Sequence, residues 1–120
     1  MSPVSSHPVV HLELLTGDLP RACAFYTRLF GWPAETIHLG SQSYLALGLG
    51  DRLDGGVVEC ATRRPRWRPY VQVADVYTET ERALELGAVV LLEPREGPAG
   101  WRSVIASPSA GDVALWQPKG

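Results

Sequence analysis

Cysteine is scarce in this chain: Cys23 and Cys60 are its two, and they do not form a C-x-x-C pair. Both are read as reduced core thiols, because a buried free cysteine is common and cytosolic disulfides are rare. The spacing gives no support to a metal or redox pair. Long apolar runs are also missing. None approaches the roughly 20 residues that span a bilayer. The stretch from Met1 to Val10 lacks the charged and apolar regions of a signal peptide. A cytoplasmic protein with no membrane partner is expected. Excess charge of one sign is absent: 11 basic residues face 13 acidic ones, a net −2 at pH 7. Such a balance gives no global attraction to nucleic acid. Lysine is nearly absent, with Lys119 alone against ten arginines. There is no phosphate-binding loop, no G-x-G-x-x-G, no nucleophile elbow and no H-E-x-x-H.

What is present fits one ordinary soluble domain spanning residues 1–120, with 45% hydrophobic and 20% charged residues. That length buries a core without staples. Val9 to Leu15 reads as a strand. Asp18 then stands as an N-cap before Leu19-Pro20, where proline is tolerated because its missing N–H would be unpaired anyway. Ala22, Phe25, Tyr26, Leu29 and Phe30 fall on one helical face. Gly31 supplies the stop. Strands are expected at Ala34–Leu39, Ser43–Leu49 and Gly56–Ala61.

The pattern then repeats. Tyr70–Val73 reads as a strand, Asp75 as a cap, Val76–Leu86 as a helix ending at Gly87, and Ala88–Leu92 as a strand. Pro94–Gly100 reads as a loop. Trp101–Ala106 and Asp112–Gln117 are the last strands, joined by a turn through Ser107 to Gly111. Asp18 and Asp75 stand 57 residues apart, and Gly31 and Gly87 stand 56 apart. The order is β-α-β-β-β, twice: a first module over 9–61, a linker over 62–69 and a second module over 70–118.

Alternation along the strands sorts the side chains. Leu12 and Leu14 share one face of the first strand, and His11 and Glu13 share the other. Val71 and Val73 oppose Arg68, Tyr70 and Gln72 in the fifth. The apolar sets are expected under the helices and the polar sets along a wet cavity.

These residues resemble the glyoxalase / bleomycin-resistance / extradiol-dioxygenase (vicinal oxygen chelate) superfamily. The likeness rests on His11-Leu12-Glu13-Leu14, Asp18-Leu19-Pro20-Arg21, Ala24-Phe25-Tyr26 and Leu29-Phe30-Gly31-Trp32. The second half adds Tyr70-Val71-Gln72-Val73, Asp75-Val76, Leu86-Gly87 and Ala114-Leu115-Trp116-Gln117-Pro118. The resemblance covers residues 9–118. It implies an α+β fold in which two βαβββ modules form a U-shaped mixed sheet around a ligand cleft. It also implies a homodimer and a small-molecule ligand.

The resemblance further implies four metal-ligand positions, His/Gln and Glu from each half. They map to His11, Glu59, Arg68 and Ala114. Arginine only donates hydrogen bonds and alanine offers nothing. His11 and Glu59 are left, with Glu13 or Asp112 further off, and two ligands rarely hold a transition metal. The expectation is no cofactor, with a divalent metal as the weaker alternative held by His11 and Glu59. His11 is read three ways: hydrogen-bonded to Glu59 or Glu13, a metal-free base or ligand contact, or a metal ligand. His11 and Glu59 are the best catalytic candidates.

The ligand-binding set is His11, Glu13, Glu59, Arg68, Tyr70, Gln72, Trp101 and Trp116. Trp116 is expected to narrow the cleft. The Arg63-Arg64-x-Arg66-Trp67-Arg68 cluster reads as a solvated linker, or as an anion site where Arg68 turns inward. Gly97 to Arg102 reads either as a lid over the ligand or as a turn holding Trp101 in the core. Trp32 and Trp67 are read as interface residues. The leading expectation is a binding or resistance protein of unassigned specificity without a complete metal site. The alternatives are a metal-dependent lyase, isomerase or dioxygenase, and a dimeric interaction module with no ligand.

Overall fold

A computed structural model describes residues 7–39, 42–50, 53–107, 109 and 111–120. Most of the stretch read against a leader, and Pro108 and Ala110 of the last turn, lie outside them. The element order is β1 (Val9–Thr16), α1 (Leu19–Phe30), β2 (Ala34–Leu39), β3 (Gln42–Gly50), β4 (Leu53–Glu59), β5 (Arg66–Gln72), α2 (Val76–Glu85), β6 (Val89–Glu96), β7 (Gly100–Ser107) and β8 (Gly111–Pro118). This is β-α-β-β-β twice, and the fold is α+β. The chain forms two compact units, one of residues 10–68 and one of residues 1–9 with 69–120. Among the described residues no helix is long and apolar enough to cross a membrane.

In the first unit the strand order is β2-β3-β4-β1. β1 and β4 run parallel, with His11 opposite Asp54, Glu13 opposite Gly56 and Thr16 opposite Glu59. Because partners share a face, Leu12, Leu14, Val57 and Glu59 lie on one side, and His11, Glu13, Asp54 and Gly56 on the other. The first side carries the core: Leu14, Leu47 and Val57 are buried, with Leu19, Ala22 and Tyr26 of α1 packed on them. Asp18 accepts from Arg21 N at 3.1 Å to start α1. Gly31, at φ 70°, ends it in the left-handed region where a side chain is strained.

In the second unit the order is β5-β8-β7-β6. Tyr70 lies opposite Ala114 and Gln72 opposite Trp116. Across the sheet, Arg102 lies opposite Trp116 and Val104 opposite Ala114. The core is Val73, Val76 and Leu115, with Trp101, Ile105 and Val113 packed on it. The Thr80 and Ser103 hydroxyls meet at 2.7 Å inside it. Asp75 caps α2 by accepting from Tyr77 N and Thr78 N at 2.9 and 3.2 Å.

Three sequence expectations change. β5 begins at Arg66, so the connection between modules is shorter than residues 62–69. β6 runs on to Glu96, with Pro94 inside an edge strand, where its missing N–H costs no ladder bond. The Gly97–Gly100 segment is a tight turn, closed by Gly97 N donating to Gly100 O at 2.7 Å. It holds Trp101 in the core rather than forming a lid.

Candidate functional site

Each unit has one face covered by its helix and one free of it. The helix-free face of the first unit carries His11 and Glu13 on β1 and Asp54 and Gly56 on β4. Ala46 extends it on β3 and Glu35 on β2. Glu13 is buried at 8% exposure. Its Oε1 faces Arg68 Nη1 at 3.6 Å, and both side chains are nearly covered, at 11% and 13%. A charge pair this far from water is much less screened than a surface one. Arg68 therefore separates from Arg63, Arg64 and Arg66, which are exposed. His11 is half-buried. Burial holds its imidazole below the usual 6.5, against the opposing pull of the Glu13 and Asp54 carboxylates. A neutral imidazole at pH 7 accepts a proton, as a base or ligand contact must.

Glu59 does not join this group. It lies on the helix side of β4, and its Oε2 accepts from Leu19 N at 2.8 Å. The second unit repeats the device: Gln117 Oε1 accepts from Val76 N at 2.9 Å, at the first residue of α2. Both side chains satisfy one of the N–H groups that every helix start leaves open. Glu59 is thus a helix-anchoring carboxylate, and the expectation of a catalytic or metal-binding Glu59 has no geometric support.

The register also shows which residue faces His11 on β4. A Cβ built on Gly56 would meet His11 Nε2 at 3.3 Å. Gly56 is opposite Glu13 as Ala114 is opposite Tyr70. Gly56 is thus the counterpart of Ala114 in its own module. With Gly56 rather than Glu59 on the His11 side, the ligand positions that the resemblance implies read His11, Gly56, Arg68 and Ala114. One imidazole, one permanent cation and two residues without donors do not fit a divalent metal.

The helix-free face of the second unit carries Tyr70, Gln72, Arg102, Ala114 and Trp116. Arg102 Nη1 donates to Tyr70 Oη at 2.8 Å. Tyr70 is buried at 7%, and its ring centroid lies 6.5 Å from that of Trp116. A Cβ at Gly100 would meet Trp116 Cη2 at 2.9 Å, so the indole lies close over the glycine backbone. Trp101, expected on this face, points to the helix side, with the Lys119 ammonium 5.7 Å from its ring centre. Arg102 takes its place and was missed. The alternation of β7 signals both equally, and only the pairing with Trp116 decides.

On the helix side of the first unit, Trp32 and Trp67 pack with Tyr26 and Phe30. Trp67 Nε1 donates to Tyr26 Oη at 3.3 Å. Phe25, Leu29 and Phe30 remain 56–57% exposed. A groove of about 330 Å³ beside them is lined by Leu14, Arg21, Phe25, Tyr26 and Pro65. It lies on the opposite side of β1 from His11.

Comparison with known proteins agrees with this architecture. The chain is 28% identical over 114 residues to the inferred glyoxylase CFP32 of Mycobacterium tuberculosis (strain CDC 1551 / Oshkosh). The match covers 88% of this chain and 44% of that protein, so the chain spans less than half the length of this relative. The fold superposes on a hypothetical protein from Bacillus halodurans C-125 with a TM-score of 0.73, at 14% identity and 97% coverage of both chains. It superposes on methylmalonyl-CoA epimerase from Mycobacterium tuberculosis with a TM-score of 0.66, at 17% identity, covering 93% of this chain and 88% of that one. Residues 10–115 match the family described as Glyoxalase-like domain, and the chain belongs to that family.

Proposed function

We propose that this chain binds a small molecule through the helix-free faces of its modules, without a complete metal site. The observation that supports this most is the set His11, Gly56, Arg68 and Ala114 at the ligand positions. His11, Glu13 and Arg68 in the first unit, and Tyr70, Gln72 and Trp116 in the second, are the residues proposed to contact the ligand. The specificity is unassigned.

The test is elemental analysis of the purified protein, followed by titration with Ni²⁺, Zn²⁺, Mn²⁺ and Fe²⁺ read by thermal unfolding. The expected result is substoichiometric metal and no stabilisation that depends on His11. Stoichiometric metal lost in His11→Ala would overturn the reading and favour a metal-dependent lyase, isomerase or dioxygenase. A metal-free enzyme is the second reading. The neutral His11 imidazole favours it, as a base that needs no metal to lower its pKa.

The proposal extends to a homodimer in the cytoplasm. The exposed Phe25, Leu29 and Phe30 on α1 support a second copy covering that face, since contiguous apolar surface on one helix is a common mark of association. The free thiols of Cys23 and Cys60 fit a reducing compartment. Light scattering on the purified chain tests the dimer; a monomer at micromolar concentration counts against it.

A further inference from the structure

We infer that the helix-free face of the second module is an anion subsite. It takes a small monocarboxylate with a flat apolar body, and Arg102 is the recognition residue. This rests on the reading of the chain as a small-molecule binder and names the class of molecule.

The charges carry the argument. Arg102 is half-buried, and its Nη1 donates to the uncharged Tyr70 hydroxyl at 2.8 Å. No carboxylate lies within ion-pair reach of it among the described residues. Arg68, by contrast, has Glu13 at 3.6 Å. A half-buried cation without a counter-ion is a standing cost that an incoming anion relieves. The next strand adds charge of the same sign: Arg95 lies opposite Arg102 in the β6–β7 ladder. Like charges side by side destabilise a sheet, and an anion between them removes the repulsion. Asp112 is the nearest acidic residue on this face of β8, at the far end of the strand. It is four residues from Trp116, about 13 Å at the usual rise.

The shape of the group narrows the ligand. A guanidinium presents a planar fork of donors that matches the two oxygens of a carboxylate. One Nη1 donor is taken by Tyr70, and that bond fixes the plane of the fork. Beside it, Trp116 offers a flat apolar surface, held close against Gly100. Gln72, opposite Trp116, adds an amide at the edge. A cation fork next to an indole suits an acid whose body is a flat ring.

The probes are 2-naphthoate and its neutral amide, 2-naphthamide, titrated by calorimetry into wild-type protein and three variants. Naphthoate is expected to bind at least ten-fold more tightly than naphthamide. Arg102→Gln should bring the acid down to the level of the amide. Arg102→Lys, which keeps the charge and loses the fork, should retain a preference for the acid with weaker binding. Arg63→Gln, in the exposed connection, should change nothing. Thermal unfolding of each variant confirms that it is folded. Equal binding of acid and amide, or a preference that survives Arg102→Gln in a folded protein, overturns the inference. Failure of both probes also overturns it. In that case a thermal-shift screen of neutral and cationic compounds separates the two readings. A hit dependent on His11 or Trp116 leaves the small-molecule reading standing, and no hit sinks both.

Discussion

Replacing Glu13 by glutamine is the sharpest test of the ion pair in the first unit. The change keeps volume and shape and removes one charge. It leaves Arg68 nearly covered, at 13% side-chain exposure, with no carboxylate at 3.6 Å. Two unit charges at that distance attract by about 4–5 kcal/mol at an effective dielectric of about 20. Breaking one side of a buried pair costs about 3–5 kcal/mol, because the remaining charge stays out of water. The remaining exposure, and the amide oxygen that can still accept from the guanidinium, lower the expected loss to about 2–3 kcal/mol. A domain stable by about 5–15 kcal/mol survives this. The assay is urea unfolding at pH 7 of wild type, Glu13→Gln, Arg68→Met and the double variant. The double variant should be more stable than the worse single one, with a coupling energy near 2 kcal/mol. Raising the salt from about 0.1 to 1 M should change the coupling little, since nearly covered charges are poorly screened. A loss below about 1 kcal/mol for Glu13→Gln, or additive single effects, would show that the pair is surface-like and refute the reasoning.

Three further outcomes are expected. His11 is held below 6.5 in the folded protein, so the unfolded chain takes up its proton first as pH falls. His11 therefore makes no pH-dependent contribution above the unfolded value and lowers stability as pH drops from about 6.5 through the folded pKa. Urea midpoints from pH 8 to pH 5 should fall less steeply in His11→Gln than in wild type, and parallel curves would count against the burial argument. Glu59→Ala should cost about 1 kcal/mol by leaving Leu19 N without its acceptor, as should Gln117→Ala for Val76 N. Both losses should appear as lower unfolding temperatures. Gly100→Ala should destabilise by about 1–3 kcal/mol, because the new Cβ meets the Gln117 carbonyl and the Trp116 ring. Unchanged stability in that variant would mean that Trp116 does not lie against the glycine.

The sequence signals that proved reliable are those with local physical causes. Asp18 and Asp75 cap their helices because a short acceptor before a helical run satisfies its first N–H groups wherever it occurs. The alternation of His11-Leu12-Glu13-Leu14 sorts two faces because strand periodicity is local. β4 has no such alternation. Gly55, Gly56, Val57 and Val58 give no phase, so the sequence leaves the face of Glu59 open and the resemblance alone puts it among the ligand positions. Its face is fixed by the ladder with β1, a contact across more than 40 residues. Trp101 and Arg102 fail for a related reason: either phase of β7 puts apolar residues on both faces, and only the pairing of Arg102 with Trp116 settles it. The charge of the Arg63-Arg64-x-Arg66-Trp67-Arg68 cluster leaves two readings open, a solvated linker and an anion site with Arg68 turned inward. β5 nonetheless begins at Arg66, and Arg68 is covered because Glu13 offsets its charge.

The two modules share a constraint and differ where it is absent. A helix start must have its N–H groups satisfied in either module, and both supply a side chain from the last strand, Glu59 to Leu19 and Gln117 to Val76. Either residue type works, because the bond needs only an acceptor oxygen. The carboxylate gains a little more from the positive end of the helix. No such requirement acts on the opposite faces, and there the modules carry opposite chemistry. The first holds His11 with Glu13, Glu35 and Asp54; the second holds Arg95 and Arg102 with Tyr70 and Trp116. By register, His11 corresponds to Arg68, and Gly56 corresponds to Ala114. Arg102 donates to the uncharged Tyr70 hydroxyl and has Arg95 opposite it, so it is the residue to change first.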